Sequence, residues 1–148
     1  MNKQIEELKS YIPHAETLNK AISLATVGWH IHHSLGAINW AGLSLMRSKP
    51  ADFKPSFNLK RAYVFFTGKF PRGKAKAPKN SVETKVLTLD QIEKELANAL
   101  RVLEKVDKLP ANSFMKHPIF QELNRKQAKR FLHIHTEHHL KIIRDILK

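Results

Sequence analysis

Apolar positions recur at intervals of three and four along most of this chain, with little strict alternation, so helices are expected rather than strands. The opening stretch "NKQIEELKSYI" puts Ile5, Leu8 and Ile12 on one side. It stops at Pro13, whose ring clashes with the preceding turn. A second helix is expected from Val27 to about Arg47, with Thr26 as N-cap and Pro50 beyond its end. Val27, Trp29, Ile31, Leu35, Ile38, Trp40, Leu43 and Leu45 surround it almost completely, which suits a helix buried in the middle of a bundle. Residues 48–87 are broken up by Pro50, Pro55, Pro71 and Pro78. Within them "NLKRAYVFFTGKF" suggests a short helix with "YVFF" as its buried side, and "FPRGKAKAPKN" reads as loop. A capping box of Thr88 and Gln91 then opens an amphipathic helix striped by Ile92, Leu96, Leu100 and Leu103. The last helix starts near Asn124, with Gln127 in the reciprocal position, and runs to the C-terminus. The expected fold is a single all-α domain over residues 1–148: a four-helix bundle with a basic irregular segment between the second and third long helices.

Composition narrows the chemistry. A chain of 148 residues without cysteine has no disulfide, no thiolate nucleophile and no cysteine-based metal site, so any metal must be held by His, Asp or Glu. No apolar run approaches the ~20 residues that span a bilayer, and "MNKQIEELKSY" lacks the apolar core of a signal peptide. A cytoplasmic protein is therefore expected. The formal charge of +13 is uneven: ten Lys or Arg lie between Arg47 and Asn80 against one acid, Asp52. Such a segment attracts anions, and Arg72, Lys74, Lys76 and Lys79 are its candidate steering residues. Phe65, Phe66 and Phe70 are interleaved there among Lys60, Arg61, Lys69 and Arg72, a mixture that can stack bases and neutralise phosphates. A basic, non-catalytic module for nucleic acid or another anionic partner is thus the rival reading. The absence of a helix-turn-helix or other standard motif argues against nucleic acid.

The strongest chemical signal is "HIHTEHHLKII", four histidines within seven positions from His133 to His139. At ~100° per residue, His135 and His139 fall near the centre of the apolar stripe of Ala128, Leu132, Ile142, Ile143 and Ile146. His138 lies at its edge with Phe131, while His133 shares the opposite side with Arg130, Glu137, Lys141 and Arg144. Two imidazoles spaced i, i+4 stack one turn apart and can grip one ion, but two ligands need a third. The other histidine-rich stretch is "VGWHIHHSL", and periodicity does not choose between His30 and His33. His117, just before Pro118, is expected to cap a turn, with the metal pocket as the alternative. His14 and His133 read as surface residues. No convincing general acid or base stands out, since Glu137 projects away from the His135/His139 face and Glu122 precedes the last helix.

The order of these features, a Trp-flanked histidine, "FPRGKAKAP", then "HPIFQELNRKQAKRFLHIHTEHHLKII", resembles the DinB/YfiT-like superfamily. More narrowly, it is similar to a bacterial branch marked by an HP-F…L segment followed by H-x-x-H-H-L. The resemblance runs from Thr26 onward and implies a four-helix bundle, commonly dimeric, with a divalent metal held by three histidines. Carried over by position, those are His33, in "HHSLGAI", and the pair His135 and His139; His30, one turn earlier, would either replace His33 or stand behind it, and His138 would stand behind the pair. The chain departs at Gln121, where relatives often carry Gly. Three imidazoles leave an open coordination position, and nitrogen donors suit zinc or nickel. Water on such an ion, acidified toward pH ~7, would make a metal-dependent hydrolase, whereas the resemblance implies a transferase or isomerase using a low-molecular-weight thiol. The expected substrate is a small molecule, anionic if the basic segment steers it. Everything spatial in this reading depends on three rings converging.

Overall fold

The computed structural model describes residues 1–70 and 88–148. Among these it is mainly helical, with one two-stranded sheet. The order is α1 (Asn2–Ser10), a 3-10 turn (Ile12–His14), α2 (Val27–Arg47), a second 3-10 turn (Pro50–Asp52), α3 (Leu59–Thr67), α4 (Leu89–Asp107), the strands β1 (Phe114–His117) and β2 (Gln121–Asn124), and α5 (Arg125–Ile146). Thr26 caps α2 by accepting the Trp29 N–H at 3.2 Å, and Asn58 caps α3 through the Arg61 N–H at 2.9 Å. Both expected capping boxes form: Thr88 with Gln91 on α4, and Asn124 with Gln127 on α5. Each satisfies N–H groups that a helix start leaves without partners.

Helix α2 is the hub, packed against α4 on one side and α5 on another. Its inner face carries Val27, Ile31, Leu35, Ile38, Ala41 and Leu45, all buried. The expected burial all round is only partly met, because Trp40 and Leu43 are 47% and 43% exposed. Helix α4 turns Ile92, Leu96, Ala99, Val102, Leu103 and Val106 inward, so its stripe is centred on Ala99 and Leu100 is only half-buried. The short α1 docks on α5. Gln4 donates to the His133 carbonyl at 3.1 Å, and the Arg144 guanidinium bridges Glu7 (2.7 and 2.8 Å) and Glu137 (2.8 Å). Hydrogen bonding to Arg144 holds the Glu7 carboxyl below its ordinary pKa, against an opposing effect of burial. The same pairing, Glu7 first and then Glu137, raises that of Arg144.

The hairpin was not legible in the periodicity. Strands β1 and β2 pair antiparallel with Met115 opposite Leu123, both buried. Four-residue strands give too few alternations to stand out against a helical background. Its turn is held by His117, whose Nδ1 accepts the N–H groups of Ile119 and Phe120, each at 3.1 Å. Gln121 follows with φ 62°, the left-handed region that favours glycine, which explains why glycine suits this position. Arg61, buried on α3, donates to the carbonyls of Phe120 (3.2 Å) and Glu122 (3.0 Å) and to that of Ser56. The side expected to be buried on α3 is corrected in part: Val64 is buried, yet Tyr63 and Phe66 are 58% and 92% exposed.

Two glycines of α2 make a controlled comparison. A Cβ on Gly42 would sit 2.0 Å from Val102 Cγ1, whereas one on Gly36 would meet nothing within 4 Å. Alanine gains roughly 0.5–1 kcal/mol over glycine inside a helix, but overpacking a stiff valine costs about 1–3 kcal/mol. Gly36→Ala should therefore raise, and Gly42→Ala lower, the urea midpoint; equal effects would refute this α2–α4 packing. Gln121→Gly should stabilise by up to about 1 kcal/mol by relieving the left-handed backbone, as read by the same denaturation.

Candidate metal centre

The interior where α2 crosses α5 is crowded with imidazoles. His33 on α2 and His135 and His139 on α5 each offer a ring nitrogen, and these atoms lie within 4.8 Å of one another. Ring centroids form a nearly equal triangle: 5.0 Å for His33–His135, 4.8 Å for His33–His139 and 4.7 Å for His135–His139. The three histidines are close enough to hold one metal ion. Two come from a single helix face because i and i+4 are one turn apart, and the third is brought by the α2–α5 packing.

Aromatic residues fix the rings. Trp29, one turn before His33, stacks on it at 4.8 Å with 7° between the planes. Phe131 and Phe70 flank His135, with centroids at 5.4 and 6.1 Å. His30 is buried, with its Nδ1 2.9 Å from Nδ1 of His139 and its Nε2 3.0 Å from Ser23 Oγ. His138 is half-buried between the rings of His139 (5.2 Å) and Phe70 (5.8 Å). So the structure sets His30 and His138 beside the triad, and places His117 in the hairpin turn, against Phe120 and Phe131.

Burial depresses the basicity of these rings. It lowers the pKa of His135 to about 3 and that of His30 to about 4, with neighbouring histidine charges adding to the effect. His33 and His139 shift the same way for the same leading reason, His139 well below its ordinary value. Neutral imidazoles keep the lone pairs that a cation requires. Nδ1 of His135 is buried with no hydrogen-bond partner among the described residues, an uncompensated cost that a ligand to that ring would remove. The donor set is therefore suited to a divalent ion.

The remaining histidines are spent elsewhere. His14 and His133 are exposed, and His32 hydrogen-bonds Glu95 of α4 at 2.7 Å. Glu137 is engaged by Arg144 and Gln4, and Glu122 accepts the Lys54 N–H at 2.9 Å. Arg61 and Phe70, which the nucleic-acid reading needs exposed, are instead tied to the hairpin carbonyls and packed on Phe120 and Phe131. Arg72, Lys74, Lys76 and Lys79 lie outside the described residues. Ser23 was missed by sequence reasoning, since a serine in a loop seven residues before a histidine carries no pattern. A cleft of about 220 Å³ runs beside Phe70, Ile134 and His138, and none of the three triad rings lines it.

The family model described as "Protein of unknown function (DUF1569)" matches residues 45–145, and the chain belongs to that family. The matched span contains His135 and His139 and begins after His33. No curated protein and no solved structure matches the chain.

A pH dependence follows from the depressed basicity. Unfolded histidines take up protons near pH 6.5, whereas His30 and His135 resist until about 4 and 3. The unfolded chain thus binds more protons in that window, so stability is full above about 6.5 and is lost as pH falls through it. Each such ring adds up to about 1.4 kcal/mol per pH unit. With chelator present, His135→Leu should flatten the loss of unfolding free energy between pH 7 and 5, and an unchanged slope would count against a buried neutral ring.

Proposed function

We propose that this member of the DUF1569 family is a metal-dependent enzyme that holds one divalent ion with His33, His135 and His139. The observation that carries it is the convergence of three neutral imidazoles from two helices, with ligand atoms within 4.8 Å of one another. Zinc or nickel suits such nitrogen donors. When bound by these three residues, a divalent ion would supply Lewis acidity, enough to activate water or a small thiol near neutral pH. The chain's own residues set the conditions. Trp29 holds the plane of His33 by stacking, and Phe70 and Phe131 shield His135 from water. Three ligands leave coordination room for a substrate, the arrangement of a catalytic rather than a closed structural site.

The resemblance to the DinB/YfiT-like superfamily supports extending the reading. On that basis α1, α2, α4 and α5 are the four bundle helices, and the protein is a cytoplasmic homodimer acting on a small substrate by hydrolysis or thiol-dependent transfer. The segment with Arg72, Lys74, Lys76 and Lys79 then draws anionic substrates toward the site.

Elemental analysis of untagged protein should find about one equivalent of divalent metal per chain. His33→Ala, His135→Ala and His139→Ala should each lower affinity by more than the roughly 10–100-fold typical of losing a supporting hydrogen bond. His133→Ala, on the exposed face, should leave it intact. Failure of zinc, nickel, cobalt and manganese to bind or to raise the melting temperature would sink the proposal.

A further inference from the structure

Resting on that metal reading, a second question is what decides which nitrogen of His139 faces the ion. Four groups lie in line. The Ala25 N–H donates to Ser23 Oγ at 3.1 Å, Ser23 Oγ is 3.0 Å from His30 Nε2, and His30 Nδ1 is 2.9 Å from His139 Nδ1. Both rings are buried, so neither can turn to water for an alternative partner. His30 is held further by its backbone, whose carbonyl accepts the Ser34 hydroxyl at 2.8 Å.

A neutral imidazole carries one N–H and one lone pair, so the contact between the two Nδ1 atoms works in only two directions. If His30 donates, His139 accepts at Nδ1 and bears its proton on Nε2, leaving no lone pair for a metal. If His139 donates, His30 accepts at Nδ1, and its own proton sits on Nε2 and points to Ser23 Oγ. That oxygen already serves as acceptor for Ala25 and has a second lone pair for His30. Both directions keep the contacts to Ser23 and between the rings, but only the second leaves His139 Nε2 unprotonated and able to bind a cation.

We infer that His30, backed by Ser23, is a positioning residue that keeps His139 in its Nδ1–H form, with Nε2 left as the metal-binding nitrogen. Such outer partners orient ligand rings and raise their basicity. The arrangement also accounts for two histidines on α2 facing α5, one to bind and one to orient.

Two measurements test this. Competition with a chromogenic chelator gives zinc affinity for the wild type and for His30→Leu, His30→Asn and Ser23→Ala. The leucine variant should lose roughly 10–100-fold and Ser23→Ala less, while asparagine, whose Oδ1 takes the place of Nδ1 as acceptor, should recover most of it. Separately, ¹⁵N spectra of labelled histidines in chelator-treated protein should find the His139 proton on Nδ1 in the wild type and redistributed in His30→Leu. Thermal melts confirm that each variant is folded. A folded His30→Leu that binds zinc as tightly as the wild type, or a wild-type His139 protonated on Nε2, overturns the inference. Should the wild type bind no metal, the functional reading fails by itself, and the spectra still decide whether His30 orders His139.

Discussion

Four imidazoles packed between α2 and α5, His30 and His139 buried and His33 and His135 half-buried, impose the constraint around which this fold is organised. An imidazole removed from water loses hydrogen-bond partners at two nitrogens and resists protonation, so each ring must find compensation inside the protein. His30 and His139 supply it to one another, His33 has the face of Trp29, and His135 keeps one buried nitrogen without a partner among the described residues. Apolar packing does not by itself ask for this arrangement.

Much of the surrounding structure serves to hold α2 and α5 in one rotational setting. A turn of ~100° about either axis would carry a histidine from the interior to solvent. The capping residues Thr26 and Asn124 set where each helix begins, and so which positions face inward. Helix α4 grips the far side of α2 through the close approach of Val102 to Gly42. On α5, Arg144 is locked to Glu7 and Glu137, while Arg125 donates to the carbonyls of Asp107 (2.9 Å) and Leu109 at the end of α4. Ion pairs as exposed as the Arg144 cluster contribute about 1 kcal/mol or less each. Their value lies in orientation more than in stability.

The basic character of the chain has two separate consequences. Arg61 and Arg125 act as internal ties, spending their guanidinium donors on backbone carbonyls of the hairpin and of the turn after α4. Lysines such as Lys60 and Lys69 remain exposed at the surface, where they add to a positive field. Arginine suits the first role because its planar fork reaches several acceptors at once, whereas lysine is a mobile point charge. A count of positive charge along the sequence merges the two.

Local rules were enough to read the helices from the chain. Capping boxes, prolines and the 3.6-residue period act within a few residues, so α2, α4 and α5 begin where Thr26, Thr88 and Asn124 announce them. The same period turned His135 and His139 inward together, because neighbours one turn apart share a face whatever packs against it. Contacts between distant residues were beyond that reach. Only the packing of α2 on α5 separated His33, which completes the triad, from His30, which hydrogen-bonds His139; both lie on the same strip of a helix with no polar face to orient it. The hairpin, the left-handed Gln121 and the link from Ser23 likewise arise from groups meeting in space. Periodicity records which side of a helix is inside, and tertiary structure decides what it meets there.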